Sequence, residues 1–246
     1  MALGLLLVAG AALLAAGMAW FTHHRFGVED SDNPAISAVL TLVGGLQAVL
    51  MTFVLIALFD GDADARTGAY READGLVSLA WSANALPEPS RARIQSLAKE
   101  YATTVAESEW PRMRAGEAVG GAGWTELTEL RRAIDGVATS SEWQEDRRIA
   151  AADAAWDVYE ARQARLERAN GGLDAVVWLA LAIGGLGTVV LTYLFDGLPR
   201  RGYLVVTGTV TGAVVLVLFV IFQLQNPFAG TGLDPDAFRA ALTRLS

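Results

Sequence analysis

The sequence predicts an all-α, polytopic membrane protein: four transmembrane helices with a cytoplasmic helical insert between helices two and three. Three observations carry this prediction. Four separate stretches, Ala2–Phe21, Ala35–Phe59, Leu173–Phe195 and Tyr203–Leu224, are long and apolar. Each holds about 20 residues or more, enough at about 1.5 Å per residue to cross a hydrocarbon layer roughly 30 Å thick. Charge is kept out of them, with only Asp174 at the edge of the third. The remaining polar segment, 60–171, repeats its apolar residues at helical spacing and has no alternating strand pattern. The organisation that follows is 1–59 for spans one and two, 60–171 for the insert, 172–225 for spans three and four, and 226–246 for a short tail helix.

Span one is an apolar run with no basic residue ahead of it. Met1–Ala19 ends in the small residues of a signal peptide, but the run is longer than such a peptide uses, so it reads as an uncleaved helix. The loop after it carries His23 and His24, with Glu29, Asp30 and Asp32 nearby. Adjacent histidines point in different directions on a helix, so the loop reads as solvated and no metal is expected.

Span two places Ser37, Thr41, Gly45, Ala48 and Thr52 on one face, because they step by three or four. A face this small and weakly polar either lines a water-filled path or seats a neighbouring helix. These are the candidate pore-lining residues. Gln47 lies on a different face, and an amide in hydrocarbon needs a partner.

In the insert, Ala65–Ala85 reads as a helix ending before Pro87. Ser90–Met113 follows, striped by Ile94, Leu97, Tyr101 and Val105, with Pro111 bending or ending it. After the glycine-rich loop Gly116–Gly123, Trp124–Val137 repeats the stripe at Leu127, Leu130, Ile134 and Val137. Thr139-Ser140-Ser141-Glu142 has the form of a capping box with Thr139 as the cap. The helix it opens runs to Asn170 and Gly171, about 45 Å, long enough to stand off the membrane as a stalk. Asp174 reads as an interfacial cap within reach of the Arg162–Arg168 turn. Span four carries Gly208 and Gly212 as a GxxxG helix-packing pair, and Thr207, Thr209 and Thr211 are expected to bond their own backbone carbonyls. Asp234-Pro235 supplies a cap and a first-turn proline for the tail helix.

Two further patterns concern orientation and symmetry. Arg66, Arg71, Arg162, Arg165, Arg168 and Arg239 fall near the spans on the side of the insert and both termini, against Arg25, Arg200 and Arg201 on the other. That excess places the insert and the termini in the cytoplasm of a cell membrane. Residues 44–53 echo residues 184–193, each ahead of a Phe-Asp-Gly, although glycine- and leucine-rich helices match easily.

Composition limits function. The chain is 53% hydrophobic with a net charge of −8, and 60–171 contributes −6 of it from 14 Arg/Lys and 20 Asp/Glu. An acidic chain lacks the basic face that nucleic acid requires. With no cysteine, thiol chemistry and cysteine-based metal sites are excluded. No P-loop, dinucleotide fingerprint or metalloprotease motif occurs, and the spans hold no histidine and no paired carboxylates. A base with an orienting partner cannot be assembled, so neither an enzyme nor a cofactor is expected.

Tyr70-Arg71-Glu72-Ala73, Leu86-Pro87, Arg91, Ile94, Tyr101, Val105 and Glu109-Trp110-Pro111-Arg112-Met113 together resemble a family of bestrophin-like membrane proteins. Pro227-Phe228-Ala229-Gly230 and Pro235-Asp236-Ala237-Phe238 fit the family's usual ending. The resemblance runs over residues 35–242, and Glu-Trp-Pro-x-Met is its most specific part. It implies four spans, a cytoplasmic helical insert and a ring-shaped homo-oligomer. True bestrophins are pentameric anion channels, gated by calcium in animals. Here Phe53 is the one aromatic near the middle of span two, and no acidic calcium clasp is recognisable, so no channel residue is carried over.

Two readings follow. One is a lipid-embedded homo-oligomer that conducts an inorganic ion along an axis lined by span two. The other is a non-conducting scaffold or sensor whose acidic insert binds a cytoplasmic partner.

Overall fold

The computed structural model describes residues 34–193, 200–228 and 233–246, and all their regular structure is helical. Span one, the His23–His24 loop, the Phe195–Gly197 repeat and Ala229-Gly230 lie outside the described residues. The helices are α1 (Pro34–Ala83), α2 (Ser90–Thr103), α3 (Trp110–Arg114), α4 (Ala122–Asp135), α5 (Glu142–Asn170), α6 (Ala175–Tyr193), α7 (Arg200–Leu224) and α8 (Asp236–Leu245). A π-helical turn, Thr104–Glu109, joins α2 to α3. The chain divides into two compact units, Met1–Phe59 with Leu173–Gln225, and Asp60–Gly172 with Asn226–Ser246.

Three helices among the described residues are long and apolar enough to cross a membrane. In the first unit α6 and α7 run antiparallel. Trp178 Nε1 donates to Gln225 Oε1, and further along α6 a Cβ on Gly185 would stand 3.0 Å from Val214 Cγ1. Met51 and Val54 of α1, Leu181 of α6 and Ile221 of α7 form the buried cluster of this unit.

The second unit has a large apolar core. Leu76 and Leu79 of α1, Ile94 and Leu97 of α2, Leu130 and Ile134 of α4, and Val158 of α5 are all fully buried there. The tail, expected from sequence as a segment of its own, belongs to this core through Phe228, Leu233, Phe238 and Ala241.

Several boundaries differ from the sequence reading, each for a local reason. The helices expected at 35–59 and 65–85 are one helix of 50 residues, because residues 60–64 include no proline and a lone Gly61 costs only about 1 kcal/mol. Ser90–Met113 is not one regular helix. Pro111 has no N–H to give, and the chain widens into the π turn just before it. The cap of α5 is Ser141, not Thr139: Ser141 Oγ accepts from Gln144 N at 3.3 Å, and Thr139 Oγ1 instead donates to Glu145 Oε2 at 3.0 Å. The α5 helix is no free stalk, since Ala151, Ala155, Val158, Arg162 and Arg165 are buried against its own unit. The α8 helix begins one residue later than expected and has Pro235, with no side-chain cap, at its start.

Candidate functional site

Within the membrane, α1 has three distinct faces. Gln47, Met51 and Val54 point into the unit and are buried. Leu42, Leu46, Val49, Phe53 and Ile56 form a bulky apolar face, each at least half exposed. About a quarter turn away, Thr41, Gly45, Ala48 and Thr52 form the small face, also exposed. A Cβ on Gly45 would meet nothing within 4 Å among the described residues, and Ala48 and Thr52 beside it are exposed. Thr52 Oγ1 donates to Ala48 O at 2.8 Å, which gives the hydroxyl proton a partner on an exposed residue. Ser37 lies on the same helix, three turns before Ala48. Gly208 likewise has open space where a Cβ would stand among the described residues.

Gln47 finds the partner its chemistry demands. Its Nε2 donates to Leu181 O at 3.0 Å, a bond that ties α1 to α6 inside the unit. The approach works only because Gly184 has no side chain: a Cβ there would overlap Gln47 Oε1. Gly44 in turn lies 4.0 Å from Thr188 Cγ2, measured from where its Cβ would be. The two echoing segments, 44–53 and 184–193, therefore face each other. Asp174 Oδ1 accepts from Val176 N at 3.1 Å, as an interfacial cap does.

The second unit buries a compensated charge cluster. Arg165 Nε donates to Glu72 Oε2 at 2.8 Å, and its Nη2 reaches Glu109 Oε2 at 2.9 Å. Arg162 forms a two-pronged pair with Glu109, at 2.9 Å and 2.6 Å. Tyr101 Oη donates to Glu72 Oε1 at 2.6 Å and accepts from Arg162 Nη1 at 3.2 Å. The two arginine side chains are 0% exposed and the two glutamates no more than 4%. Rings complete the shell: Arg162 sits 4.7 Å over Trp124, and Arg165 5.9 Å over Trp110. Gly123 makes room, because a Cβ there would stand 2.6 Å from both Arg162 Nη1 and Glu109 Oε1.

The electrostatics follow from these contacts. Burial opposes ionisation of Glu109, but the hydrogen bonds from Arg162 and the charge of Arg165 outweigh it and hold its carboxyl below the usual range. Burial, helped by the neighbouring Glu72, pushes the Tyr101 phenol well up, so Tyr101 stays a neutral donor. Burial likewise opposes the charge of Arg165, yet Glu72 and Glu109 more than restore it.

Comparison with known proteins decides the family. The Bestrophin-like domain matches residues 9–232. The chain belongs to the bestrophin-like family. Solved structures share its fold at low identity. One point mutant of a bacterial bestrophin homologue from Klebsiella pneumoniae superposes with a TM-score of 0.71 at 14% identity, over 99% of this chain and 98% of that one. A second mutant of that homologue gives 0.71 at 14%, over 99% and 96%. A variant described only as a membrane protein gives 0.72 at 14%, over 99% and 96%. No curated protein matches the sequence.

The bestrophin-like signature residues turn out to build the charge cluster. Glu72, Tyr101 and Glu109 are three of its five polar members. Trp110 of the same motif donates Nε1 to Leu233 O at 3.0 Å and packs edge-on against Phe228, 5.4 Å away, so it pins the tail. Met113 Sδ accepts from Arg165 Nη1 at 3.4 Å. Arg162 and Arg165, read from sequence only as basic residues near the spans and within reach of Asp174, were the members missed. A signal did exist: both continue the buried α5 stripe of Ala151, Ala155 and Val158 at steps of four and three.

Proposed function

We propose that this bestrophin-like protein is a channel subunit, one of several copies arranged around an axis, conducting an inorganic ion. The small α1 face of Ser37, Thr41, Gly45, Ala48 and Thr52 lines the path. Its second unit and both termini are cytoplasmic, and four spans, with Ala2–Phe21 as the first, hold it in the cell membrane. The observation that carries this reading is the separation of the two exposed α1 faces. Lipid suits the bulky Leu42–Phe53 face. A small face on which Gly45, Ala48 and Thr52 are exposed among the described residues suits water or another subunit instead. Gly208 and Gly212 offer a second close-approach face, which a neighbouring helix would cover.

The test is current recording from purified protein in planar bilayers, paired with electron microscopy of the particle. The expected result is a closed ring and a conductance reduced by Thr52→Trp. A compact monomer or dimer without conductance across chloride, potassium and sodium gradients would replace the channel by the scaffold reading.

A further inference from the structure

The interior of the membrane unit holds a second polar feature, separate from the α1 stripe. On α6, Thr188 and Thr192 are buried, at 9% and 4% exposure. On α7, Thr207 and Thr211 are buried at 0% and 6%. The contacts between the two helices fix their alignment. Trp178 meets Gln225 and Phe222, and Gly185 meets Val214 and Leu218, so residue numbers rise along α6 as they fall along α7. Thr207 and Thr211 continue the α7 stripe of Val214 and Leu218 at steps of four and three. Thr188 and Thr192 continue the α6 stripe of Gly185 in the same way. The next turns therefore set Thr211 opposite Thr188 and Thr192, with Thr207 one turn beyond.

Their hydroxyls are not equivalent. Thr188 Oγ1 donates to Gly184 O at 2.9 Å, and Thr192 Oγ1 donates to Val189 O at 2.6 Å. These two have spent their protons and keep oxygen lone pairs. Thr207 Oγ1 and Thr211 Oγ1 are buried and have no hydrogen-bond partner among the described residues. That overturns the expectation that α7 threonines bond their own carbonyls. The seam thus offers two unspent donors beside two spent hydroxyls that can only accept. A buried polar group left unpaired in hydrocarbon is costly. None of the stripe residues Gly185, Thr188 and Thr192 of α6 or Thr207, Thr211, Val214 and Leu218 of α7 is charged, so these positions offer an ion no counter-charge. A small neutral molecule that both donates and accepts meets every one of these needs.

We propose that the α6–α7 seam is a water site inside each subunit, with Thr207 and Thr211 donating to bound water and Thr188 and Thr192 accepting from it. Buried water typically takes two to four such partners. The seam stands whether or not the α1 stripe conducts, because it lies within one subunit's own helices.

Water-edited solid-state NMR on the full chain in liposomes tests it, with threonine, leucine and isoleucine carbons labelled. Thr207→Val and Thr211→Val assign the signals. The expected result is magnetisation passing from water to Thr207 and Thr211 side chains at mixing times that leave Leu181 and Ile221, both 0% exposed, dark. In the Thr207→Val/Thr211→Val double variant, transfer to Thr188 and Thr192 is lost. If Thr207 and Thr211 are as dark as Leu181 in the unaltered protein, the hydroxyls have turned back onto their own helix and the site does not exist. Unchanged transfer to Thr188 and Thr192 in the double variant overturns the assignment of the α7 hydroxyls.

Discussion

The two units bury polar groups of different kinds. The second unit holds two arginines, two glutamates and a tyrosine in its core. The membrane unit holds one glutamine amide and four threonine hydroxyls, and nothing charged is buried there among the described residues. The difference follows from the surrounding solvent. Helices that fold in water can bury a charge cluster if every member is matched on arrival, because the apolar core around it contributes the driving force. Helices already in lipid gain little from burying apolar surface, so close backbone approach and neutral hydrogen bonds must hold them together. Gly184 beneath Gln47 is that approach, and Gly123 beneath Arg162 is its counterpart in the other unit.

The largest expected effect breaks the charged core. Arg165→Met leaves Glu72 and Glu109 each short of a partner while fully buried. A loss of about 3–5 kcal/mol is expected, enough to unfold the second unit in detergent, read by thermal melting. A change under about 1 kcal/mol would mean the cluster is open to water.

The matching break in the membrane unit is smaller. Gly184→Ala sets a methyl onto Gln47 Oε1 and should cost about 1–3 kcal/mol by overpacking. Gln47→Ala alone leaves a void, whereas the double variant Gln47→Ala/Gly184→Ala should recover most of the loss. Additive losses in that cycle would show that the two residues do not meet.

Acid sharpens the contrast. The folded carboxyl of Glu109 sits below its ordinary value, so the stabilisation it contributes is complete above the usual carboxylate range. It is lost as pH falls through the lowered folded value. Unfolding of the second unit should therefore become easier on acidification, with a gentler slope in Glu109→Gln. Helix pairing in the membrane unit, with no buried carboxylate among the described residues, should change little. The smallest effect is at the surface: Ser141→Ala removes the cap of α5 and should cost about 1 kcal/mol in the same melt.

Much of the helical layout was legible because period and proline placement report it locally. Ile94, Leu97 and Tyr101 marked their buried stripe, and so did Leu127, Leu130 and Ile134. The fusion of α1 across Asp60–Asp64 was not legible, since composition alone cannot tell a tolerated glycine from a break. The charge cluster was half legible. Glu72, Tyr101 and Glu109 stood out through the family pattern, but pairing with Arg162 and Arg165 joins residues 53 to 93 positions apart. Arginines on an apolar stripe look like surface charges until their partners are placed. The α1 stripe was legible as small and polar from spacing alone. What stands across from it is not written in the spacing of its own residues.

The central claim is that the small α1 face, not the bulky one, borders the conducting path. The chain has no cysteine, so each introduced thiol is the sole target. The direct measurement is bilayer current before and after a charged methanethiosulfonate reagent, at Gly45→Cys, Ala48→Cys and Thr52→Cys against Leu46→Cys and Phe53→Cys. Block confined to the first three is the predicted result. Block at Leu46 and Phe53 with the small face silent would contradict it.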